Sequence, residues 1–256
     1  MFIEDCIVKS NERIVDGIYK MELVNEKITK ESKAGQFLQI KVNKFDTPLL
    51  RRPISINEIK IDESKIVIYY KVVGKGTKIM ADIKTGEVIN VIGPLGTGFD
   101  MGMKNKNIAV VGGGIGLAPL IELCKNLYKD NNVFTYLGFY DIPYLVEEFR
   151  KYGNKVEIST VTGTAGKKGF VTGGLEKALL DNKIDIIYAC GPNAMLKEVK
   201  NIAGSLNIKC QLSLEERMAC GVGACLGCSI ETTDGEMKKI CYDGPVFWSN
   251  EVILND

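Results

Sequence analysis

The sequence contains no histidine among its 256 residues. This absence excludes Ser-His-Asp and Cys-His catalytic arrangements, zinc sites with histidine ligands, and Rieske-type clusters. Any chemistry must therefore use cysteine, carboxylates, lysine or arginine, the backbone, or a bound cofactor.

The chain also lacks an excess of either charge and a long apolar segment. Lys and Arg number 33 against 32 Asp and Glu, so nucleic acid or an anionic membrane is not expected as a partner. The longest nearly apolar stretch, residues 108–121, is interrupted by four glycines and a proline and is too short to span a bilayer. Residues 1–5 do not resemble the start of a signal peptide, so we expect a cytoplasmic protein.

Two changes of pattern divide the chain into three expected parts. β-rich segments at 37–42, 65–73 and 88–92 with Gly and Pro turns predict a small antiparallel barrel over residues 1–102. Over residues 103–212, short apolar strands alternate with helices, which predicts an α/β domain with a parallel sheet. The predicted strands there are 108–111, 133–140, 156–161 and 184–189, and the predicted helices are 118–128, 144–152, 175–181 and 193–206. Residues 213–256 can bury little core, so we expect a small subdomain held by a metal site.

Four of the eight cysteines lie close together in this last part, as Cys220, Cys225, Cys228 and Cys241. Clustered cysteines in a reducing compartment are more often metal ligands than disulfides. The spacing Cys-x4-Cys-x2-Cys with a later fourth cysteine is the plant-type [2Fe–2S] order, and small intervening residues let backbone N–H groups approach the sulfurs. A structural zinc site needs the same thiolates, but zinc ribbons usually present two cysteine pairs on separate knuckles. The pattern therefore favours an iron–sulfur cluster.

Two motifs in the β-rich part are candidates for flavin binding. Residues 52–55 read Arg-Pro-Ile-Ser, in which an arginine fork can bind a pyrophosphate and a serine hydroxyl can reach a flavin ring. Residues 74–77 read Gly-Lys-Gly-Thr before a helical segment, where backbone N–H groups suit a phosphate. Taken alone, the first motif is an ordinary barrel strand, and for the second a simple turn with an N-cap is the favoured interpretation.

Two turns in the α/β part are candidates for nucleotide binding. Residues 112–116 read Gly-Gly-Gly-Ile-Gly between a strand and a helix, where a pyrophosphate can approach the helix N-terminus. Leu117 stands where the last glycine of G-x-G-x-x-G would be, so this is a dinucleotide site of another pattern or a tight crossover turn. Cys190 follows the fourth strand and would face the cofactor crevice, or else it is a small buried apolar residue.

The order of these motifs, R-P-x-S, G-x-G-T, G-G-G-I-G and C-G-P-x-x-M, resembles the ferredoxin–NADP reductase superfamily over residues 1–212. The tail, from Glu215-Glu216-Arg217-Met218 through the cysteines to Asp-Gly-Pro-Val-Phe at 243–247, resembles one subgroup: the iron–sulfur electron-transfer subunits of two-subunit, NAD-linked dihydroorotate dehydrogenase, the B type. The resemblance implies an FAD-binding antiparallel β-barrel, a parallel-sheet α/β nucleotide domain and a small C-terminal [2Fe–2S] subdomain.

The resemblance also implies a role for each matching residue. FAD would be bound by Arg52, Pro53, Ile54, Ser55, Tyr69, Tyr70, Lys71, Gly76 and Thr77. NAD(H) would be bound by Gly112, Gly113, Gly114, Gly116, Gly191 and Pro192, with Cys190 as the candidate catalytic residue. The cluster would be bound by Cys220, Cys225, Cys228 and Cys241. A guanidinium at position 71 would bind a phosphate through two hydrogen bonds, whereas Lys71 would act on the phosphate only as a point charge.

The choice between NAD and NADP depends on the residues after the second α/β strand. Tyr140 and Asp141 stand there, and no Arg or Lys follows until Arg150. An acidic residue repels the 2′-phosphate, so NAD is expected.

The implied function is an electron relay in pyrimidine biosynthesis. An FMN-containing catalytic subunit would oxidise dihydroorotate to orotate, and electrons would pass through [2Fe–2S] and FAD of this chain to NAD⁺, in a heterotetramer with two copies of each subunit. The alternatives are an NAD(P)H-dependent iron–sulfur flavoprotein reductase that serves ferredoxin or a sulfur compound, and a zinc-containing nucleotide-binding regulator.

Overall fold

The computed structural model describes residues 1–42 and 47–254. These form two compact units. The barrel unit comprises residues 1–98, 215–229 and 239–245, and the sheet unit comprises residues 99–214, 230–238 and the stretch from Val246 onward. The two tail segments that carry Cys220, Cys225, Cys228 and Cys241 thus belong to the barrel unit. The division of the chain into three parts at residues 102 and 212 stays a prediction.

The barrel unit is built on a closed antiparallel barrel, as expected. Its strands are β1 (Phe2–Val15), β2 (Ile18–Val24), β3 (Phe37–Ile40), β4 (Arg52–Lys60), β5 (Lys65–Lys71) and β6 (Val88–Leu95), in the order β1-β2-β5-β4-β3-β6. Two helices, α1 (Glu26–Glu31) and α2 (Lys75–Asp82), and a 3₁₀ turn (Ile61–Glu63) complete it. Closure removes the unpaired strand edges that an open sheet would expose.

The barrel core follows the alternation of the strands. Side chains at every second position point inward, so Leu38 and Ile40 of β3 pack with Ile66, Ile68 and Tyr70 of β5. All four residues of β3 are buried, including those that point out of the barrel. The outer face of β3 must therefore be covered by another segment.

The sheet unit contains a seven-stranded sheet with the strands β7 (Asn107–Gly113), β8 (Asn132–Phe139), β9 (Lys155–Thr160), β10 (Lys167–Lys168), β11 (Ile186–Cys190), β12 (Lys209–Ser213) and β15 (Val246–Trp248). Their order in the sheet is β10-β9-β8-β7-β11-β12-β15. A separate two-stranded ribbon, β13 (Ser229–Glu231) and β14 (Met237–Lys239), comes between β12 and β15 along the chain. The helices are α3 (Leu120–Leu127), α4 (Val146–Lys151), α5 (Leu175–Asp181) and α6 (Asn193–Ser205), with a 3₁₀ turn at Gly114–Leu117. Pairing is parallel except at the edge, where β15 runs antiparallel to β12.

The sheet confirms the predicted parallel α/β architecture and extends it. Residues 108–111 are completely buried, as a strand with both faces covered requires. Sequence reasoning missed β10, β12 and β15, and the tail returns to the sheet through β15. None of the helices in the described ranges has the length and apolar character that a membrane crossing needs.

Candidate functional site

The four predicted cluster ligands lie together in the barrel unit. Cys220, Cys225 and Cys228 lie on a loop without helix or strand, and Cys241 lies in the turn after β14. Cys225 interacts closely enough with Cys220 to lower its pKa, and Cys228 interacts closely enough with Cys241 to raise its pKa. The structure therefore arranges the four side chains as two pairs.

Backbone N–H groups point at these sulfurs. Val222 and Cys225 donate to Cys220 Sγ at 3.5 and 3.3 Å, and Gly223 donates to Cys241 Sγ at 3.2 Å. Such donors stabilise thiolate charge and orient metal ligands. A ligand loop with small residues was predicted for this reason.

Their surroundings shift the pKa values of Cys220 and Cys241 in opposite directions. Burial opposes ionisation of Cys220, but the backbone hydrogen bonds led by Val222 and Cys225 outweigh it and lower its pKa to about 6. Burial, together with Cys228, raises the pKa of Cys241 to about 12 despite the hydrogen bond from Gly223. Cys220 is thus prepared to act as a thiolate, whereas Cys241 would need a bound metal to lose its proton near neutral pH.

Two glycines allow the path of the loop. Gly221 and Gly223 have φ values of +69° and +80°, in the left-handed region that disfavours residues with a Cβ. A Cβ on Gly221 would lie 2.2 Å from Gln39 Nε2, and one on Gly223 would lie 3.0 Å from the Tyr242 ring. The loop therefore lies directly against neighbouring side chains.

Gln39 of β3 is the barrel side chain beneath this loop. It is fully buried on the outer face of β3, donates from Nε2 to Met218 Sδ at 3.8 Å, and its Oε1 has no partner among the described residues. The cysteine loop thus covers the outer face of β3 at Gln39. Sequence reasoning missed Gln39, although a polar residue within the apolar run Phe-Leu-Gln-Ile was an available signal.

The paired thiols fit a [2Fe–2S] cluster. Such a cluster divides four thiolates between two irons, whereas structural zinc gathers all four around one ion. Within residues 1–42 and 47–254, no three His, Cys, Asp or Glu side chains form a group suited to one metal ion. The donor set, its pairing and the amides aimed at sulfur are the features that a cluster requires, and its binding by these four residues stays a prediction.

The candidate flavin residues of β4 and α2 come together. Arg52 begins β4, and a Cβ on Gly76 would lie 2.0 Å from Arg52 Nε, so the guanidinium lies on the backbone of the first turn of α2. A cation beside the N–H groups of a helix start is an arrangement suited to a pyrophosphate. In β4, Pro53, Ile54 and Ser55 follow Arg52 and are half-buried.

Two other candidate flavin residues have structural partners. Thr77 Oγ1 accepts hydrogen bonds from Val73 and Gly74 N–H at 2.9 and 3.2 Å and therefore holds the turn before α2. Tyr70 points into the barrel, where its hydroxyl donates to Asn11 Oδ1 at 2.8 Å and burial raises its pKa. Contacts of either side chain with a flavin stay predictions, as does the role of Gly76.

The alternation of β5 places its other candidates on the opposite face from Tyr70. Tyr69 and Lys71 point out of the barrel, and Tyr69 is buried there while Lys71 is exposed. Of the three neighbouring candidates on β5, only these two are on the outer surface.

The two candidate nucleotide turns meet in the sheet unit. Cys190 at the end of β11 is opposite Gly112 of β7. A Cβ on Gly116 would lie 2.7 Å from Gly191 Cα, and one on Gly113 would lie 2.7 Å from Met195 Sδ. The carboxyl ends of neighbouring parallel strands are where open α/β sheets bind ligands. Close packing by itself explains four of the predicted site glycines, Gly112, Gly113, Gly116 and Gly191. Nucleotide binding by the turns at 112–116 and 190–192, including half-buried Cys190, therefore stays a prediction.

Asp141, which led us to expect NAD, is held in a turn. Thr162 Oγ1 donates to Asp141 Oδ1 at 2.8 Å, and Thr164 Oγ1 donates to its carbonyl oxygen at 2.8 Å. Tyr140 beside it is exposed. The carboxylate is thus fixed near the end of β8.

Comparison with known proteins agrees with this geometry. A family model for the iron–sulfur cluster binding domain of dihydroorotate dehydrogenase B matches residues 215–253. Two relatives carry the name dihydroorotate dehydrogenase B (NAD(+)), electron transfer subunit. The protein of Caldanaerobacter subterraneus subsp. tengcongensis is 41% identical to this chain, and the match covers 96% of this chain and 97% of that protein. The protein of Bacillus pumilus is 43% identical, and the match covers 97% of each chain.

Solved structures extend the comparison to the fold. A chain of the NADH-dependent reduced ferredoxin-NADP oxidoreductase has a TM-score of 0.88 and 30% identity, covering 97% of this chain and 90% of that chain. A ferredoxin NADP+ reductase from Neisseria gonorrhoeae, solved with FAD and NADP, has a TM-score of 0.67 and 12% identity over 79% of this chain and 91% of that chain, which shows a common fold alone. By its full-length similarity to the curated relatives, the chain belongs to the family of dihydroorotate dehydrogenase B electron transfer subunits.

Proposed function

We propose that this chain is the electron-transfer subunit of an NAD-linked dihydroorotate dehydrogenase in de novo pyrimidine biosynthesis. An FMN-containing partner oxidises dihydroorotate, and this chain conveys the electrons to NAD⁺. When bound, the [2Fe–2S] cluster exchanges single electrons and FAD connects these with hydride exchange at the nicotinamide. The clustered thiols need a reducing compartment, so the cytoplasm is part of the proposal.

The observation that carries this proposal is the position of the cysteine loop on the barrel. Gly221 lies against Gln39 of β3, and Gln39 is opposite Pro53 of β4 in the strand register. Neighbouring strands lie about 4.8 Å apart. The predicted cluster ligands and the predicted flavin strand are therefore separated by a single strand of one unit, which is the proximity that electron transfer requires.

The residues of the chain divide the work of binding. The four cysteines hold the cluster, and the N–H groups of residues 222–227 stabilise the charge on their sulfurs. Arg52 and the start of α2 hold the FAD pyrophosphate. The turns at 112–116 and 190–192 receive NAD(H), with Cys190 beside the nicotinamide. No residue of this chain is assigned to the proton chemistry of dihydroorotate, which belongs to the partner.

The surface around the cysteines supports docking of that partner. Leu226, between two ligands of the loop, is 74% exposed, and Tyr242, next to Cys241, is 69% exposed. Exposed apolar and aromatic side chains are enriched where protein interfaces form. We assign this rim, Leu226 and Tyr242, to the contact with the FMN subunit in a heterotetramer with two copies of each chain.

One rival function has a specific observation in its favour. The similarity in structure to the NADH-dependent reduced ferredoxin-NADP oxidoreductase chain supports a reductase that exchanges electrons with ferredoxin. Such a chain would need a different partner but the same cofactors. The tail motif and the higher identity to the curated relatives favour the dihydroorotate partner.

Native co-purification separates the two functions. The chain, isolated from its own cells with an affinity tag, is expected to bring an FMN-containing subunit, and the complex is expected to reduce NAD⁺ with dihydroorotate. Ferredoxin serves as the competing electron partner in a parallel assay. A preparation that exchanges electrons between NADH and ferredoxin, and brings no dihydroorotate-oxidising subunit, contradicts the proposal and supports the rival.

A further inference from the structure

Lys239 places a positive charge against the cysteine loop. Its ammonium donates a hydrogen bond to Gly223 O at 2.7 Å, from a half-buried position at the end of β14. Across residues 1–42 and 47–254 it forms no ion pair with a carboxylate. Its charge is therefore directed at the loop without a neutralising partner.

The carbonyl that Lys239 contacts belongs to the segment whose N–H groups reach the ligand sulfurs. Gly223 N–H donates to Cys241 Sγ at 3.2 Å, and Cys225 N–H, two residues further on, donates to Cys220 Sγ at 3.3 Å. A cation held on the carbonyl between these two donors stabilises negative charge on the nearby sulfurs. The ammonium thus acts next to both cysteine pairs.

The backbone fixes Lys239 in this position. Its N–H donates to Asp243 Oδ2 at 2.7 Å, and its carbonyl oxygen accepts from Tyr242 and Asp243 N–H at 3.0 and 2.8 Å. These bonds form the turn that carries Cys241. The carboxylate of Asp243, the nearest acidic group of the turn, accepts a hydrogen bond from the backbone of Lys239.

We propose that Lys239 is a positioning residue that raises the reduction potential of the [2Fe–2S] cluster by placing its charge on Gly223 of the cysteine loop. The inference rests on the proposed function, because it requires the four cysteines to hold the cluster. Reduction adds one negative charge, and a cation held beside the ligand sulfurs favours the more negative, reduced form. Lys239 would in this way make the cluster a better electron acceptor from the partner.

The test is the midpoint potential of the cluster in the purified holoprotein, followed by electron paramagnetic resonance during a redox titration. In Lys239→Met and Lys239→Gln, the ratio of reduced to oxidised cluster at a fixed potential should fall roughly tenfold, which is 59 mV for a one-electron couple. Lys239→Arg, which keeps the charge, should stay near the wild-type potential. Lys238→Met is the matched control and should leave the potential unchanged. The rate at which NADH reduces the flavin should be the same in every variant.

Iron and acid-labile sulfide are counted in each preparation. A loaded Lys239→Met or Lys239→Gln variant with the wild-type potential overturns the inference, as does an Arg variant that shifts as far as the Met variant. Loss of the cluster from both uncharged variants indicates a purely structural role and also overturns it. If the unaltered chain contains neither iron nor sulfide, the proposed function itself fails and the inference falls with it.

Discussion

Replacing Gly221 with alanine tests how closely the cysteine loop lies on the barrel. Gly221 and Gly17 share a φ of +69°, and both belong to the barrel unit. A Cβ at Gly17 would meet nothing within 4 Å, whereas one at Gly221 would meet Gln39 Nε2 at 2.2 Å and Cδ at 2.6 Å. The two glycines therefore share the backbone strain and differ in the overlap.

The difference sets the expected magnitude. Placing a Cβ in the left-handed region costs about 1–2 kcal/mol, which is the whole expected cost of Gly17→Ala. Forcing extra atoms into a packed region adds about 1–3 kcal/mol, so Gly221→Ala should cost about 2–5 kcal/mol. Gln39→Ala in the same chain removes the overlap, so the double variant should recover about 1–3 kcal/mol relative to additivity.

The assay follows the visible absorbance of the cluster as urea is added, together with iron per chain before the titration. Gly221→Ala should lose the cluster at markedly lower urea than Gly17→Ala, and addition of Gln39→Ala should move the midpoint back. Equal midpoints for the two alanine variants would refute the packing of Gln39 under the loop. A double variant that behaves additively would do the same.

Two further predictions concern the candidate flavin residues of the barrel. Arg52→Lys should weaken FAD binding by about 1.5–3 kcal/mol, because a lysine cannot reproduce the guanidinium fork. The guanidinium of Arg51 is bound to Asn90, so Arg51→Lys is the control and should leave FAD affinity unchanged. Equal losses of FAD affinity in fluorescence titrations of the two variants would contradict the assignment. Tyr70→Phe should lower the free energy of unfolding by about 1–3 kcal/mol with little change in the flavin spectrum, because it removes a buried hydrogen bond to Asn11; a large change in the spectrum at unchanged stability would place Tyr70 at the flavin instead.

The sequence predicted the architecture where periodicity and turn residues act together. The buried apolar run at 108–111 and the four predicted helices mark the α/β part. The structure has a strand at this run and a helix within each of the four predicted helical segments. The helix predicted at 118–128 begins later, at Leu120, because a 3₁₀ turn occupies residues 114–117. β15 was missed because a three-residue strand at 246–248 has no periodicity, and only its pairing with β12 defines it.

The candidate site was predicted less completely than the fold. Cysteine spacing indicated the candidate ligands, because the geometry of a cluster restricts the spacing of the residues that could hold it. It gave no sign of Gln39 or Lys239, whose importance depends on segments far apart in the chain that meet only in three dimensions. The neighbouring tyrosines of β5 were both named as flavin residues, although the alternation of a strand places only one of them outside the barrel: Tyr70 points into the core and Tyr69 points outward.

The central claim is that the cysteine loop carries electrons between the flavin of this chain and the partner subunit. The most direct test compares Cys225→Ala with Cys6→Ala, which removes a buried thiol from the barrel core, in the purified native complex. Both variants should retain reduction of the bound flavin by NADH. Cys225→Ala should abolish NAD⁺ reduction by dihydroorotate and Cys6→Ala should preserve it, whereas undiminished NAD⁺ reduction in the Cys225→Ala complex would contradict the relay.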